Sequence, residues 1–262
     1  MDFKDKTYII TGATSGIGRC IARTLAKKGA RLLLLGRDLE RLNLIKNELS
    51  LISQVGHSIA VFDSNNLDSI ESAVAEFASK FKLNGFIHSA GALNPMLLRD
   101  LNLAKMHELI NINLLTFFAL AKSALKHSRY IKGDTSIVAI SSMAAFGAEP
   151  GLSVYSASKA ALNSAVRSLA KEYSKKGVRI NAVAPLFVNT PMYKSFTSEF
   201  ISKETQDERL KEIMPLGLIE PSQVADSVLF LLSSKASSIT GECLKISSGG
   251  GDLGFGNFKF EC

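Results

Sequence analysis

Tyr155 and Lys159 stand four residues apart in the run YSASK, inside a segment, Tyr155 to Lys175, whose pattern predicts one long helix. Residues at that spacing share a helix face, so the phenol and the ammonium are held side by side. A phenol with its ordinary pKa of ~10 moves protons poorly at neutral pH unless its charged form is favoured. A neighbouring ammonium favours it. A tenfold gain in acidity takes about 1.4 kcal/mol, so a gain of about a hundredfold to a thousandfold is feasible in a partly desolvated cleft. Taken alone, such a pair is usually just a helix surface. Ser142 lies thirteen residues before Tyr155, just beyond the strand-like run Ser136 to Ile140. Strand ends in open parallel sheets face the ligand crevice, where a hydroxyl can hydrogen-bond a substrate carbonyl. Ser141 has the same chemistry, and strand alternation over Ile137–Ser142 favours Ser142.

A third group is Thr11-Gly12-Ala13-Thr14-Ser15-Gly16-Ile17-Gly18, between a strand-like run and a helical one. Glycines there permit a tight turn and let a pyrophosphate approach free N–H groups at a helix N-terminus. On its own such a turn is a weak signal, since a tight strand–helix connection also needs positive φ, but the strand before it and the helix after it favour phosphate binding.

The elements that must position these groups alternate along the chain. Strands are predicted at Tyr8–Ile10, Leu32–Leu35, Ile59–Phe62, Gly85–Ser89, Ser136–Ile140, Val178–Val183 and Cys243–Ile246. Between them lie helical patterns: Ile17–Lys28, a segment from Leu39 to Leu49, and Leu67–Phe81 with Asn66 as N-cap. Ala104–Asn111, Leu115–His127, Tyr155–Lys175 and Pro221–Leu232 complete the set. Strands apolar almost throughout and separated by helices indicate a parallel sheet covered on both faces. The expected fold is α/β: one doubly wound Rossmann domain over 1–262 with a lid insertion at about 190–214.

Composition agrees. The 262 residues are 46% hydrophobic and 21% charged, enough for a large core and too apolar for a disordered chain. No apolar run approaches the roughly 20 residues of a membrane span. The opening MDFKDKTYIITG mixes both charge signs and is unlike a signal peptide, so a soluble, cytoplasmic protein is expected. There are 31 basic and 24 acidic residues, a net +7, but the basic ones are scattered without an aromatic-interleaved stripe. That argues against nucleic acid. Cys20, Cys243 and Cys262 match neither a zinc spacing nor a disulfide framework, so no metal site is expected and a reducing compartment is.

TGATSGIG and YSASK, in that order, resemble the short-chain dehydrogenase/reductase family, in the branch of this chain length that includes 3-oxoacyl-(acyl carrier protein) reductases. The likeness runs from about Phe3 to Gly250. It implies a seven-stranded Rossmann sheet, a nicotinamide cofactor and a catalytic set of Asn113, Ser142, Tyr155 and Lys159. In that set Tyr155 is general acid or base, and Ser142 holds the carbonyl. Lys159 binds the nicotinamide ribose, and Asn113 holds a water that completes a proton relay. The cofactor contacts it implies are Gly12, Thr14, Ser15, Gly16, Ile17, Gly18, Asp63 at the adenine, Ser89, Ala90, Gly91, Pro185, Val188 and Thr190, with Tyr155 and Lys159. Departures also show: His88 and Ser89 replace the family's two asparagines, Leu186 its glycine after Pro185, and Ser248 an aspartate.

Cofactor preference is read from the second strand's end. A carboxylate there would bind a ribose 2′-hydroxyl, whereas Gly36 is followed by Arg37, whose guanidinium suits a 2′-phosphate. Asp38 reads as the cap of the next helix. NADP(H) is therefore favoured over NAD(H).

For substrate, Phe146, Leu152, Leu186 and Met192, with Leu93, Met96, Tyr193, Phe196, Phe200, Ile201 and Met214, suggest an apolar pocket around Ser142 and Tyr155. The expected reaction is NADPH-dependent reduction of a ketone, foremost a 3-oxoacyl thioester. A hydroxysteroid-type dehydrogenase and a non-catalytic NADP-binding sensor stay open as alternatives. Expected partners are a small-molecule or acyl-carrier-protein-tethered carbonyl substrate. Lys126, Arg129 and Lys132, and Lys175 with Lys176, would form the landing surface near the cleft. A homotetramer or homodimer is expected to pair helix faces carrying Phe117, Leu120, Ala121, Ala124, Ala157, Ala160, Ala161 and Ala165.

Overall fold

A computed structural model describes residues 1–64, 66–147, 149–200 and 210–250, without the side chains of 198–200. The strands are β1 (Thr7–Thr11), β2 (Arg31–Gly36), β3 (Ser58–Val61), β4 (Gly85–His88), β5 (Thr135–Ile140), β6 (Val178–Pro185) and β7 (Cys243–Ile246). All pair in parallel, in the order β3-β2-β1-β4-β5-β6-β7. The order reverses between β1 and β4, which opens a crevice at the carboxyl ends of the strands.

Both faces of the sheet are covered, and the sequence shows why. Neighbours along a strand point to opposite sides. Ile10, Leu32 and Leu34 accordingly join one core with Ile21, Leu25 and Val228, while Ile9, Leu33 and Leu35 join the other with Phe86, Phe117 and Leu162. The first core is roofed by α1 (Gly16–Lys27), α2 (Leu39–Ile52) and the later helix Pro221–Leu232. The second is roofed by α3 (Asp68–Lys80), α5 (Thr116–Ala124) and α6 (Ser153–Tyr173), with α4 (Leu103–Ile110) packed against α6. α7 (Pro191–Phe200) follows β6, and Pro221–Leu232 is α8. Pro221 opens α8 behind a reciprocal cap in which the Glu220 N–H donates to Gln223 Oε1 at 2.8 Å.

Three local expectations are corrected. Asn66 does not cap α3 with its side chain: Leu67 holds the N-cap position in a helical conformation, and the Asn66 carbonyl accepts from the Ser69 hydroxyl at 2.6 Å. The two helices expected around Asn111–Leu115 are one continuous rod, because those five residues form a π turn in which the Thr116 N–H reaches back to the Asn111 carbonyl. Finally, Phe117, Leu120, Ala121, Ala124 and Ala165 are buried in the subunit's own second core and are not free to pair subunits. Leu103, Leu115 and Phe118 are the large apolar side chains exposed on that rod, at 70%, 38% and 41%. Of the lid, Phe196 and Met214 are buried, whereas the Phe200 side chain and Ile201 lie outside the described residues. No helix among the described residues is long and apolar enough to cross a membrane.

One buried group makes stability pH-dependent. His57 is 5% exposed, and neither ring nitrogen has a hydrogen-bond partner among the described residues. Burial, then the charges of Arg31 and Lys46, push its pKa down to about 4. The unfolded imidazole takes up its proton near pH ~6.5, so stability is intact above that value and falls as pH drops toward the folded pKa. The full difference is about 3 kcal/mol. Chemical melts of wild type and His57→Leu should therefore diverge between pH 7 and 4, with the wild type losing more. Parallel pH profiles would show that His57 is not responsible.

Candidate active site

A cleft of about 350 Å³ runs along the strand ends. The Gly12–Gly18 turn, Gly36 and Arg37, Phe62 and Ser64, Ser89–Gly91, Ser141 and Ser142, and Pro185–Val188 meet there from six successive strands. Leu152, Tyr155 and Lys159 close it from α6. Thr190, Met192, Tyr193 and Phe196 cover it from the start of α7.

The turn is built for an anion. Gly12 has φ +71°, and a Cβ there would sit 2.7 Å from the Ala90 nitrogen and the Ser89 carbonyl oxygen. A Cβ on Gly18 would lie 2.2 Å from the Gly12 carbonyl oxygen. β1, α1 and the end of β4 are thus packed backbone to backbone. Ser15, the N-cap of α1, makes no side-chain cap, and the first turn has no acidic residue. The N–H groups at the α1 terminus therefore face the cleft without a competing carboxylate, which suits a diphosphate. Thr190 reaches over this turn, its Cγ2 being 3.1 Å from where a Gly16 Cβ would be. Its hydroxyl oxygen accepts from the Tyr193 N–H and so starts α7.

Arg37 lines the cleft, 63% exposed in its side chain and 3.5 Å from Glu108. Asp38 caps α2 as expected, accepting from the Arg41 N–H at 3.0 Å. Arg41 lines the cleft as well. Sequence reasoning missed it, although its place four residues after Arg37, one helical turn on, was the available signal. Phe62 and Ser64 line the cleft, and Asp63 between them, beyond the end of β3, is exposed. The short turn Met143–Ala145 buries Met143 and Ala144 and leaves Phe146 39% exposed beneath the Lys245 ammonium at 4.3 Å.

At the reacting end, Ser142 and Tyr155 both line the cleft, and the Ser142 hydroxyl favours the Tyr155 phenolate. The Ala144 N–H donates to Ser142 Oγ at 3.2 Å, which fixes the hydroxyl's orientation. Lys159 is 3% exposed and donates to the Ile140 carbonyl at 2.9 Å, with Nζ 5.9 Å from the centre of the Tyr155 ring. Burial lowers its pKa to about 8. Burial also raises the Tyr155 pKa, against the smaller lowering by Ser142. The expected lowering by Lys159 is not among the influences on the phenol, and burial outweighs the contribution of Ser142. Tyr155 is consequently a protonated donor at neutral pH.

Asn113 stands behind the cleft wall rather than in it. Its Oδ1 accepts from the Ala92 N–H at 2.8 Å, and its Nδ2 donates to the Ala92 carbonyl at 3.1 Å and to Ser158 Oγ at 3.0 Å. Ser158 in turn donates to the Tyr155 carbonyl at 2.7 Å. The side chain is a brace between the end of β4 and α6. A Cβ on Gly91 would lie 3.4 Å from Asn113 Oδ1 and 3.5 Å from Lys159 Nζ, so glycine keeps open the gap beside the lysine. The apolar wall is Leu93, Ala144, Leu152, Leu186 and Phe187, clustered with the Tyr155 ring.

The basic clusters are displaced from their expected place. Lys126 and Arg129 both bind Glu71, with Arg129 at 2.7 Å and only 14% exposed. Arg129 and then Lys126 hold the Glu71 carboxyl down to about 2. The loop of Lys132 abuts that of Lys175 and Lys176, where a Gly177 Cβ would be 2.8 Å from Gly133 Cα. Both loops precede their strands, so within one subunit they lie at the sheet edge opposite the cleft.

Similarity to known proteins agrees with this geometry. A family model described as "Enoyl-(Acyl carrier protein) reductase" matches residues 12–250. The chain is 34% identical over 251 residues to "3-oxoacyl-[acyl-carrier-protein] reductase FabG" of Aquifex aeolicus, covering 93% of this chain and 96% of that one. It is 32% identical to the protein of the same name from Rickettsia typhi over 253 residues, 95% and 98% of the two chains. Among solved structures, a point variant of actinorhodin polyketide ketoreductase with NADPH superposes with a TM-score of 0.88 at 29% identity, covering 97% of this chain and all 100% of that one. A short-chain dehydrogenase/reductase from Brucella melitensis does so with a TM-score of 0.86 at 32% identity, over 95% and 98%. With the glycine cradle and the Ser142–Tyr155–Lys159 corner in one cleft, this chain belongs to the short-chain dehydrogenase/reductase family.

Proposed function

We propose that the protein is an NADPH-dependent ketone reductase acting on 3-oxoacyl thioesters, with carrier-tethered chains as the leading form. The observation that carries this reading is the convergence of Ser142, Tyr155 and Lys159 at an apolar corner of a cleft that also holds a diphosphate cradle. The relatives' names supply the substrate class.

NADPH, when bound, supplies the hydride. The chain's own residues do the rest. Gly12–Gly18 and the α1 terminus hold the diphosphate, while Arg37 and Arg41 face the 2′-phosphate. The Ser142 and Tyr155 hydroxyls receive the substrate carbonyl oxygen, and Tyr155, protonated by its buried setting, gives its proton to the developing alkoxide. Lys159 holds the ribose and returns a proton toward the phenol. Leu93, Leu152, Leu186 and Phe187 exclude water from the reacting carbon.

The test follows NADPH absorbance with a carrier-bound 3-oxoacyl chain, its small thioester analogue, a cyclic ketone and the corresponding 2-enoyl thioester. Reduction of the 3-oxo compounds alone is expected. Reduction of the enoyl compound in their place would overturn the reading. On the cofactor side, Arg37→Ala and Arg41→Ala should each weaken NADPH by about tenfold and leave NADH within about twofold, as for one charge-assisted contact. Equal loss of both cofactors would remove the arginines from phosphate recognition.

A further inference from the structure

His88, at the end of β4 and 0% exposed, bridges two segments that the cleft needs in register. Its Nδ1 is 3.1 Å from Thr11 Oγ1, and its Nε2 is 3.4 Å from the backbone oxygen of Asn113. A carbonyl only accepts, so Nε2 carries the ring proton and Nδ1 accepts from the Thr11 hydroxyl. The Thr11 oxygen itself accepts from the Ala90 N–H at 3.2 Å. The chain of donors is therefore one-way: Ala90 to Thr11, Thr11 to His88, His88 to Asn113.

The acceptor at its end lies in the π turn Asn111–Leu115, where the backbone ladder has slipped by one residue. A slipped turn leaves backbone carbonyls without their regular partners, and buried carbonyls need donors. His88 supplies one. The same residue, Asn113, braces Ala92 and Ser158 and stands with Lys159 across the Gly91 gap.

We propose that His88 is a positioning residue for the reduction, holding the Asn113 carbonyl through its Nε2–H and thereby fixing the brace behind Tyr155 and Lys159. This rests on the ketone-reductase reading above. Burial and then the Lys159 charge keep the imidazole neutral, its pKa pushed down to about 3, so the tautomer persists throughout the working pH range.

The test compares His88→Gln with His88→Met. The two replacements have similar length, but only glutamine brings an N–H to the Nε2 position. His88→Met should lower kcat about tenfold, the scale of one buried hydrogen bond, with KM for the ketone and Kd for NADPH within about twofold of wild type. His88→Gln should restore kcat to within about threefold of wild type, the margin for an imperfect amide geometry. Amide hydrogen exchange without cofactor should quicken over residues 111–116 in the methionine variant, not in the glutamine one, and stay unchanged in β1 and β5. Equal kcat and equal exchange in the two variants would overturn the proposal. Should the wild type reduce no ketone, the functional reading falls, and the exchange pattern alone still decides whether His88 holds the turn.

Discussion

Tyr155→Phe should cut ketone reduction by about 100-fold or more while NADPH binding stays within about twofold of wild type, the pattern for a lost general acid. The phenol is the group poised to protonate the alkoxide: it lines the cleft with Ser142, and burial keeps it protonated at neutral pH. The ring survives in phenylalanine, so the apolar wall it shares with Leu152 and Leu186 is retained. Lys159→Ala should behave differently. It removes a buried ammonium that holds the Ile140 carbonyl and faces the cleft, so both turnover and cofactor binding should fall. Single-turnover absorbance with NADPH, paired with fluorescence titration of the cofactor, separates the two. Turnover retained in Tyr155→Phe would dismiss the mechanism whatever the substrate is.

Much of this site is legible in the sequence, for a physical reason. Tyr155 and Lys159 are placed by one helix, and Ser142 by the end of one strand, so local periodicity locates them. The same is true of Gly12–Gly18, where a strand runs straight into a helix. Asp63 and Phe146 are less legible because each sits just beyond a regular element, where one turn of irregular backbone decides which neighbour faces inward. Phe62 and Ser64 take the first position's place, and the Met143–Ala145 turn swings Phe146 to Lys245. The π turn at Asn111–Leu115 is a different case. Its sequence, NINLL, is compatible with an ordinary helix, and the slipped turn meets partners from elsewhere in the fold, Ala92 and Ser158 on the Asn113 side chain and His88 on its carbonyl. The misplaced landing surface has the same origin. Lys126 and Arg129 look free in sequence, and only the packing of α3 brings Glu71 to them from 55 and 58 positions away.

Gly18→Ala should abolish measurable NADPH binding, weakening it by about 100-fold or more, because the added methyl falls on backbone that cannot yield cheaply. Its Cβ would meet the Gly12 carbonyl oxygen at 2.2 Å and the Gly12 carbon at 2.7 Å. Gly12 cannot retreat, since its own Cα faces the Ala90 nitrogen and the Ser89 carbonyl, with a hypothetical Cβ 2.7 Å from each. The clash must therefore be relieved by tilting α1 away from β1, which moves the N–H groups meant for the diphosphate. Overpacking of this kind costs about 1–3 kcal/mol of stability, so the thermal midpoint should fall as well without the fold being lost. Gly56→Ala is the control: a Cβ there meets nothing within 4 Å, and both binding and stability should match the wild type. The decisive comparison is NADPH titration of the two variants at a temperature where both are folded by circular dichroism. If Gly18→Ala binds NADPH as tightly as Gly56→Ala does, the turn is only a strand–helix connection and the diphosphate must be held elsewhere.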